Sequence, residues 1–131
     1  MSKNLTILLA FLMTFGSQVN AFDPADLRKL KDTGDCSKCD LSNADLEGSF
    51  LLSADLWEAN LEGANLKGAI LIGAKIGYAN LKGAKLSGAD MRDASMQNVN
   101  LSGAELVGAY LLKAHLKFAD LRQANLDAAD L

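Results

Sequence analysis

The chain has 131 residues, which allows one domain. Half of them are hydrophobic but only 6% are aromatic, so a core must be built from many small Leu and Ala contacts, not from a few large rings. A formal net charge of −3 disfavours nonspecific nucleic-acid binding.

The first 21 residues have the three parts of a secretion signal. Lys3 is a short positive start, and Leu5 to Phe15 is an 11-residue apolar run. Small residues at Val19 and Ala21 then suit cleavage before Phe22. The run is shorter than the ~20 residues that span a bilayer, which disfavours a membrane anchor. The expectation is an exported protein: periplasmic if the source is Gram-negative, otherwise secreted. Loss of Lys3 leaves 12 basic and 16 acidic residues, a net charge of −4.

Residues 22–38 read as a cap segment. Asp23-Pro24-Ala25-Asp26 supplies an N-cap acid, a Pro at the first helical position and an acid in the first turn. Leu27 and Leu30 share a face and Gly34 is a stop, so a helix is expected from Pro24 to about Asp32. Such a helix would cover the open edge of whatever follows. Cys36 and Cys39 then form a C-x-x-C pair.

From residue 39 to residue 131 the chain reads in fives without insertion or deletion. Typical units are Ala44-Asp45-Leu46-Glu47-Gly48 and Ala84-Lys85-Leu86-Ser87-Gly88. Of 19 centres, 16 are Leu, the others being Ile76, Met91 and Met96; two residues earlier, 16 of 19 positions are Ala. A period of five spirals around an α-helix and puts every second centre on the wrong side of a continuous strand. A short inward Ala-x-Leu followed by a two-residue turn keeps every Leu inside. Eight of the 11 Gly lie at the second turn position, where a type II turn needs positive φ.

These units resemble the A(D/N)LXX motif of the pentapeptide-repeat family over 93 of 131 residues. The resemblance implies an all-β, right-handed quadrilateral β-helix with four units per 20-residue coil, here about 4.75 coils, with Ala and Leu inward. Recurrence at 20 gives independent support: Asn60, Asn80 and Asn100 align, flanked by Asp40 and Asp120. Glu47 with Lys67, and Lys85 with Glu105, are expected to stack as opposite charges. The resemblance also implies dimerisation at the C-terminal coil, and adds the thylakoid lumen as a compartment.

In this phase Cys36 takes a centre position and Cys39 an Ala position, so both point inward across a turn. Three readings stay open. They are a disulfide stapling the first coil, two inert buried thiols, and a thiol–disulfide redox site, which lacks the usual βαβ context.

Little else carries chemistry. His115 is the only His and points outward, so no metal cluster is expected. The Ser residues lack an adjacent base, and no phosphate loop motif occurs. The expectation is a non-enzymatic structural or protein-binding module without cofactor. Listing outward positions by 20 aligns Phe50, Ile70, Asp90 and Tyr110, and beside them Leu52, Ile72, Arg92 and Leu112. Six of these eight are apolar and form an expected interaction face for a partner protein or a second copy; ladder stacking for stability is the competing role. The resemblance raises one further function, DNA mimicry acting on a DNA topoisomerase. The leader, the short shaft and the Lys residues within the acidic surface oppose it.

Overall fold

The structure, a computed structural model, describes residues 22–131; the leader reading of residues 1–21 lies outside the described residues. Helix α1 spans Pro24–Thr33, one residue longer than expected. Asp23 caps it by accepting from Ala25 N, and Gly34 closes it in the left-handed region at φ 70° with its N–H on Leu30 O.

After α1 the chain winds as a β-solenoid. Single parallel rungs join each residue of the 35, 40, 45 … series to the residue 20 further on, from Asp35↔Asp55 to Tyr110↔Asp130. Four such series fall in each 20 residues, so the coil has four sides. The sides are called A (rung residues 35, 55, 75, 95, 115), B (40 to 120), C (45 to 125) and D (50 to 130). Pairing reaches Asp35, four residues ahead of the expected repeat boundary, because Cys36 already fills a centre position.

The backbone bonds show why a five-residue unit suffices. In the unit around Leu41, Leu41 N donates to Asn60 O at 2.7 Å and Asn43 N to Glu62 O at 2.8 Å, both toward the next coil. Asn60 N donates back to Cys39 O at 2.8 Å, and Ala44 N closes the turn on Leu41 O at 3.1 Å. Only the N–H at the first turn position is left over. The preceding Asp or Asn takes it: Ser42 N donates to Asp40 Oδ1 at 3.1 Å, Glu62 N to Asn60 Oδ1 at 3.2 Å, and Arg122 N to Asp120 Oδ1 at 3.1 Å. This local Asx bond is the physical reason for Asp or Asn before the centre. The second turn position from Lys38 to Ala128 has φ between 55° and 67° throughout, the type II geometry. Eight of these positions are Gly; the rest, including Tyr78 and Phe118, accept the left-handed region with a side chain.

The core is one column of Leu, Ile, Met and Ala, buried from Cys36 to Leu111. Leu30 of α1 closes the column at one end, with Phe22 and Leu27 partly buried beside it. In the last coil Leu116, Leu121 and Leu126 are only partly buried.

The expected charge stacking is corrected. Glu47 Oε2 accepts from Asn65 Nδ2 at 3.1 Å and does not pair with Lys67. Lys85 and Glu105 share a rung without forming an ion pair. The ion pairs among the described residues are Lys75–Asp55 at 4.0 Å, and Arg92–Asp90 and Arg122–Asp120, both at 2.7 Å. Exposed Lys stems gain little from pairing and stay in water, whereas an Arg two residues after an Asp reaches back along its own unit.

Candidate interaction face

Side D carries the apolar residues that recurrence at 20 singled out. Phe50, Ile70, Asp90 and Tyr110 are consecutive rungs of one ladder. Phe50 is 88% exposed, Leu52 64%, Tyr110 50% and Leu112 46%, while Ile70 and Ile72 are half-buried between them. With rungs about 4.8 Å apart, the residues from Phe50 to Tyr110 cover roughly 14 Å of shaft.

The third rung interrupts the apolar surface in a specific way. The Arg92 guanidinium grips Asp90 with two bonds, Nε to Oδ1 at 2.8 Å and Nη2 to Oδ2 at 2.7 Å. That fork holds the Asp90 carboxyl below its ordinary range and pushes the Arg92 guanidinium higher still. The two charges cancel locally, so the break adds polarity without net charge.

Side B is the polar counterpart. Asn100 Nδ2 donates to Asn80 Oδ1, Asn80 Nδ2 to Asn60 Oδ1 and Asn60 Nδ2 to Asp40 Oδ1, each at 3.3 Å. A shallow depression of about 340 Å³ lies beside this ladder, lined by Ser42, Asn60, Glu62 and Lys82 among others. The Asn60 and Asn80 amides there are already spent within the ladder and, for Asn80, on Glu62 Oε2 at 3.1 Å.

The corner after side A holds an aromatic cluster that the repeat pattern does not predict. Trp57 lies over Gly77, which is buried, and its ring meets that of Tyr78 with centroids 4.9 Å apart. A Cβ on Gly77 would overlap the six-membered ring of Trp57. The alignment of Trp57, Gly77 and Gln97 by 20 was the available signal. Phe118 is exposed further along, with Lys117 Nζ 5.1 Å above its ring.

The sulfurs of Cys36 and Cys39 are bonded, with Cα atoms 5.1 Å apart and both side chains buried. His115 is exposed on side A, opposite Ser95. Among the described residues, no cluster of His, Cys, Asp and Glu could hold a metal, and no helix is long and apolar enough to cross a membrane. A contact that sequence reading missed is Asp26, whose Oδ2 accepts from Asp40 N at 2.8 Å and fastens α1 to the first coil.

A four-sided solenoid with a buried Leu and Ala column defines a class of repeat proteins whose units differ mainly in the residues they turn outward. The chain belongs to the pentapeptide-repeat family: the model for pentapeptide repeats matches eight copies, in overlapping stretches spanning residues 35–131. No curated protein matches it in sequence. Among solved structures it is similar to the pentapeptide repeat protein Rfr23 from the cyanobacterium Cyanothece 51142, at 24% identity and a TM-score of 0.69, covering 81% of this chain and 92% of that one. It is also similar to alr5209, a pentapeptide repeat protein from Nostoc PCC 7120, at 32% identity and a TM-score of 0.55, covering 86% and 78%. A pentapeptide repeat protein from the Arabidopsis thaliana thylakoid lumen matches at 36% identity and a TM-score of 0.41, covering 75% and 69%.

Proposed function

We propose that this protein is an exported, non-enzymatic binding module that holds a partner protein against side D. The right-handed sense of the coil belongs to the same reading and follows the family. The observation that carries it is the exposure of Phe50, Leu52, Tyr110 and Leu112 on one side of a shaft whose opposite side is polar. Ladder stacking alone would not leave Phe50 88% exposed.

The size of the patch narrows the partner. Six side chains at these exposures offer on the order of 500 Å², the upper range for an apolar patch on a monomer. A stable dimer needs about 800 Å² per partner. A short apolar segment of another protein fits better than a broad permanent interface. The Cys36–Cys39 bond is one that an oxidising compartment outside the cytoplasm would allow to form.

The test is a photo-crosslinking amino acid at Tyr110 in the source cell, with Lys82 on the opposite side as control. Adducts with a foreign protein at Tyr110 and none at Lys82 support the reading. Equal adducts at both sites, or none at either, count against it, and self-adducts replace the partner with a second copy.

A further inference from the structure

We propose that α1 is a lid over a thiol–disulfide couple, so that Cys36 and Cys39 exchange electrons with an outside dithiol only after α1 lifts from the first coil.

Both sulfurs lie in the first coil, at 0% and 4% exposure for Cys36 and Cys39. The two ends of the solenoid show what covers them. Inward positions under α1 are buried, whereas the equivalent inward positions of the last coil, Leu116 and Ala119, are only partly buried. Lifting α1 would bring the cysteines to a similar degree of access.

The lid is lightly fastened. Asp26 Oδ2 accepts from Asp40 N at 2.8 Å, and Asp23 N donates to Asp40 O at 3.0 Å. Asp40 directly follows Cys39, so both fastenings sit beside the couple. Leu30 is the one fully buried side chain of α1. Leu27 and Phe22 pack beside it but are only partly buried. An element held by one buried side chain, two partly buried ones and two bonds opens at lower cost than the whole fold.

Either oxidation state fits beneath the lid. Cys36 Sγ lies 3.1 Å from Asp26 O. A half-cystine sulfur has no proton to give, so in the disulfide this is a contact only. The thiol of the reduced pair could donate there.

The reaction is ordinary exchange. A thiolate of the dithiol attacks one Sγ, forming a mixed disulfide and expelling the other cysteine as thiolate, which takes up a proton. The second thiol of the dithiol loses its proton and attacks its own partner sulfur. This frees the remaining cysteine, which is protonated in turn. Two electrons and two protons enter the couple, and the dithiol leaves as a disulfide.

The test follows reduction of the oxidised protein by dithiothreitol without denaturant, trapping free thiols and weighing the products. Asp26→Ala removes a charge-assisted bond of the lid and should speed reduction about tenfold. Leu30→Ala should speed it further. Leu106→Ala, far along the shaft, should lower the urea midpoint yet leave the reduction rate within about twofold, since solenoid stability is summed between neighbours. If Leu106→Ala speeds reduction as much as Asp26→Ala, the route is global unfolding and the lid is refuted. Reduction of Asp26→Ala at the parent rate refutes it equally, and stands even if Leu30→Ala does not fold.

Discussion

Gly77→Ala should destabilise the protein only while Trp57 is present. Gly77 is buried, and an added methyl would overlap the Trp57 ring and approach Gln97 Cδ at 3.2 Å. The Gln97 end is flexible and can move aside. The indole cannot move without leaving Gly77 and its contact with Tyr78. Overpacking of this kind costs about 1–3 kcal/mol. Against it, replacing Gly at an ordinary φ stabilises by about 0.4–1 kcal/mol through the unfolded chain. The net expectation is a loss of about 1–2 kcal/mol. In a Trp57→Ala background the overlap disappears and only the unfolded-chain effect remains, so the same change should stabilise by about 0.4–1 kcal/mol. Urea unfolding followed by far-UV circular dichroism measures all four proteins, and the cycle isolates the coupling. An equal cost of Gly77→Ala in both backgrounds would refute the packing of Trp57 over Gly77.

Leu86 is fully buried, so Leu86→Ala should cost about 2–5 kcal/mol in urea unfolding by leaving a cavity. Ala84→Leu should cost still more, because the inner corner at Ala84 is also closed; a midpoint equal to the parent's would contradict the inward Ala. Asp120 is held at a pKa of about 2 by hydrogen bonds from the Arg122 side chain and backbone. A depressed carboxyl stabilises the fold above its unfolded value near 4, and this is lost as pH falls through the folded value. The melting-temperature advantage of the parent over Asp120→Asn should therefore shrink from about pH 5 to about pH 2. A constant difference across that range would show the Arg122 fork to be irrelevant to stability.

Much of the fold was legible because one chemical rule repeats. An inward Leu every five residues and a turn residue tolerant of positive φ fix the phase, and Asn60, Asn80 and Asn100 fix the coil at 20. The limits of α1 were legible because Asp23, Pro24 and Gly34 are local signals. Side D was legible for the same reason as the coil: Phe50, Ile70 and Tyr110 differ from their neighbours at the same slot. What escaped depends on side-chain direction, which periodicity does not encode. Glu47 turns to the amide of Asn65 instead of the ammonium of Lys67, because a corner side chain reaches the rung of the next coil first. Arg92 looked like a charge on the apolar side, but it folds onto Asp90. Asp26 reaches Asp40 only because α1 lies against the first coil, and no spacing in the sequence places it there.

The most direct measurement is the yield of the Tyr110 crosslink in cells carrying Phe50→Ser. Phe50 lies three rungs from Tyr110 and is almost fully exposed, so its loss should leave the unfolding free energy from urea titration within about 0.5 kcal/mol of the parent. If side D holds a partner, the adduct seen with Phe50 intact should fall sharply while the fold stays as stable. An undiminished adduct, or a large loss of stability with no adduct in either protein, would contradict a contact face and return these side chains to a role in holding the ladder together.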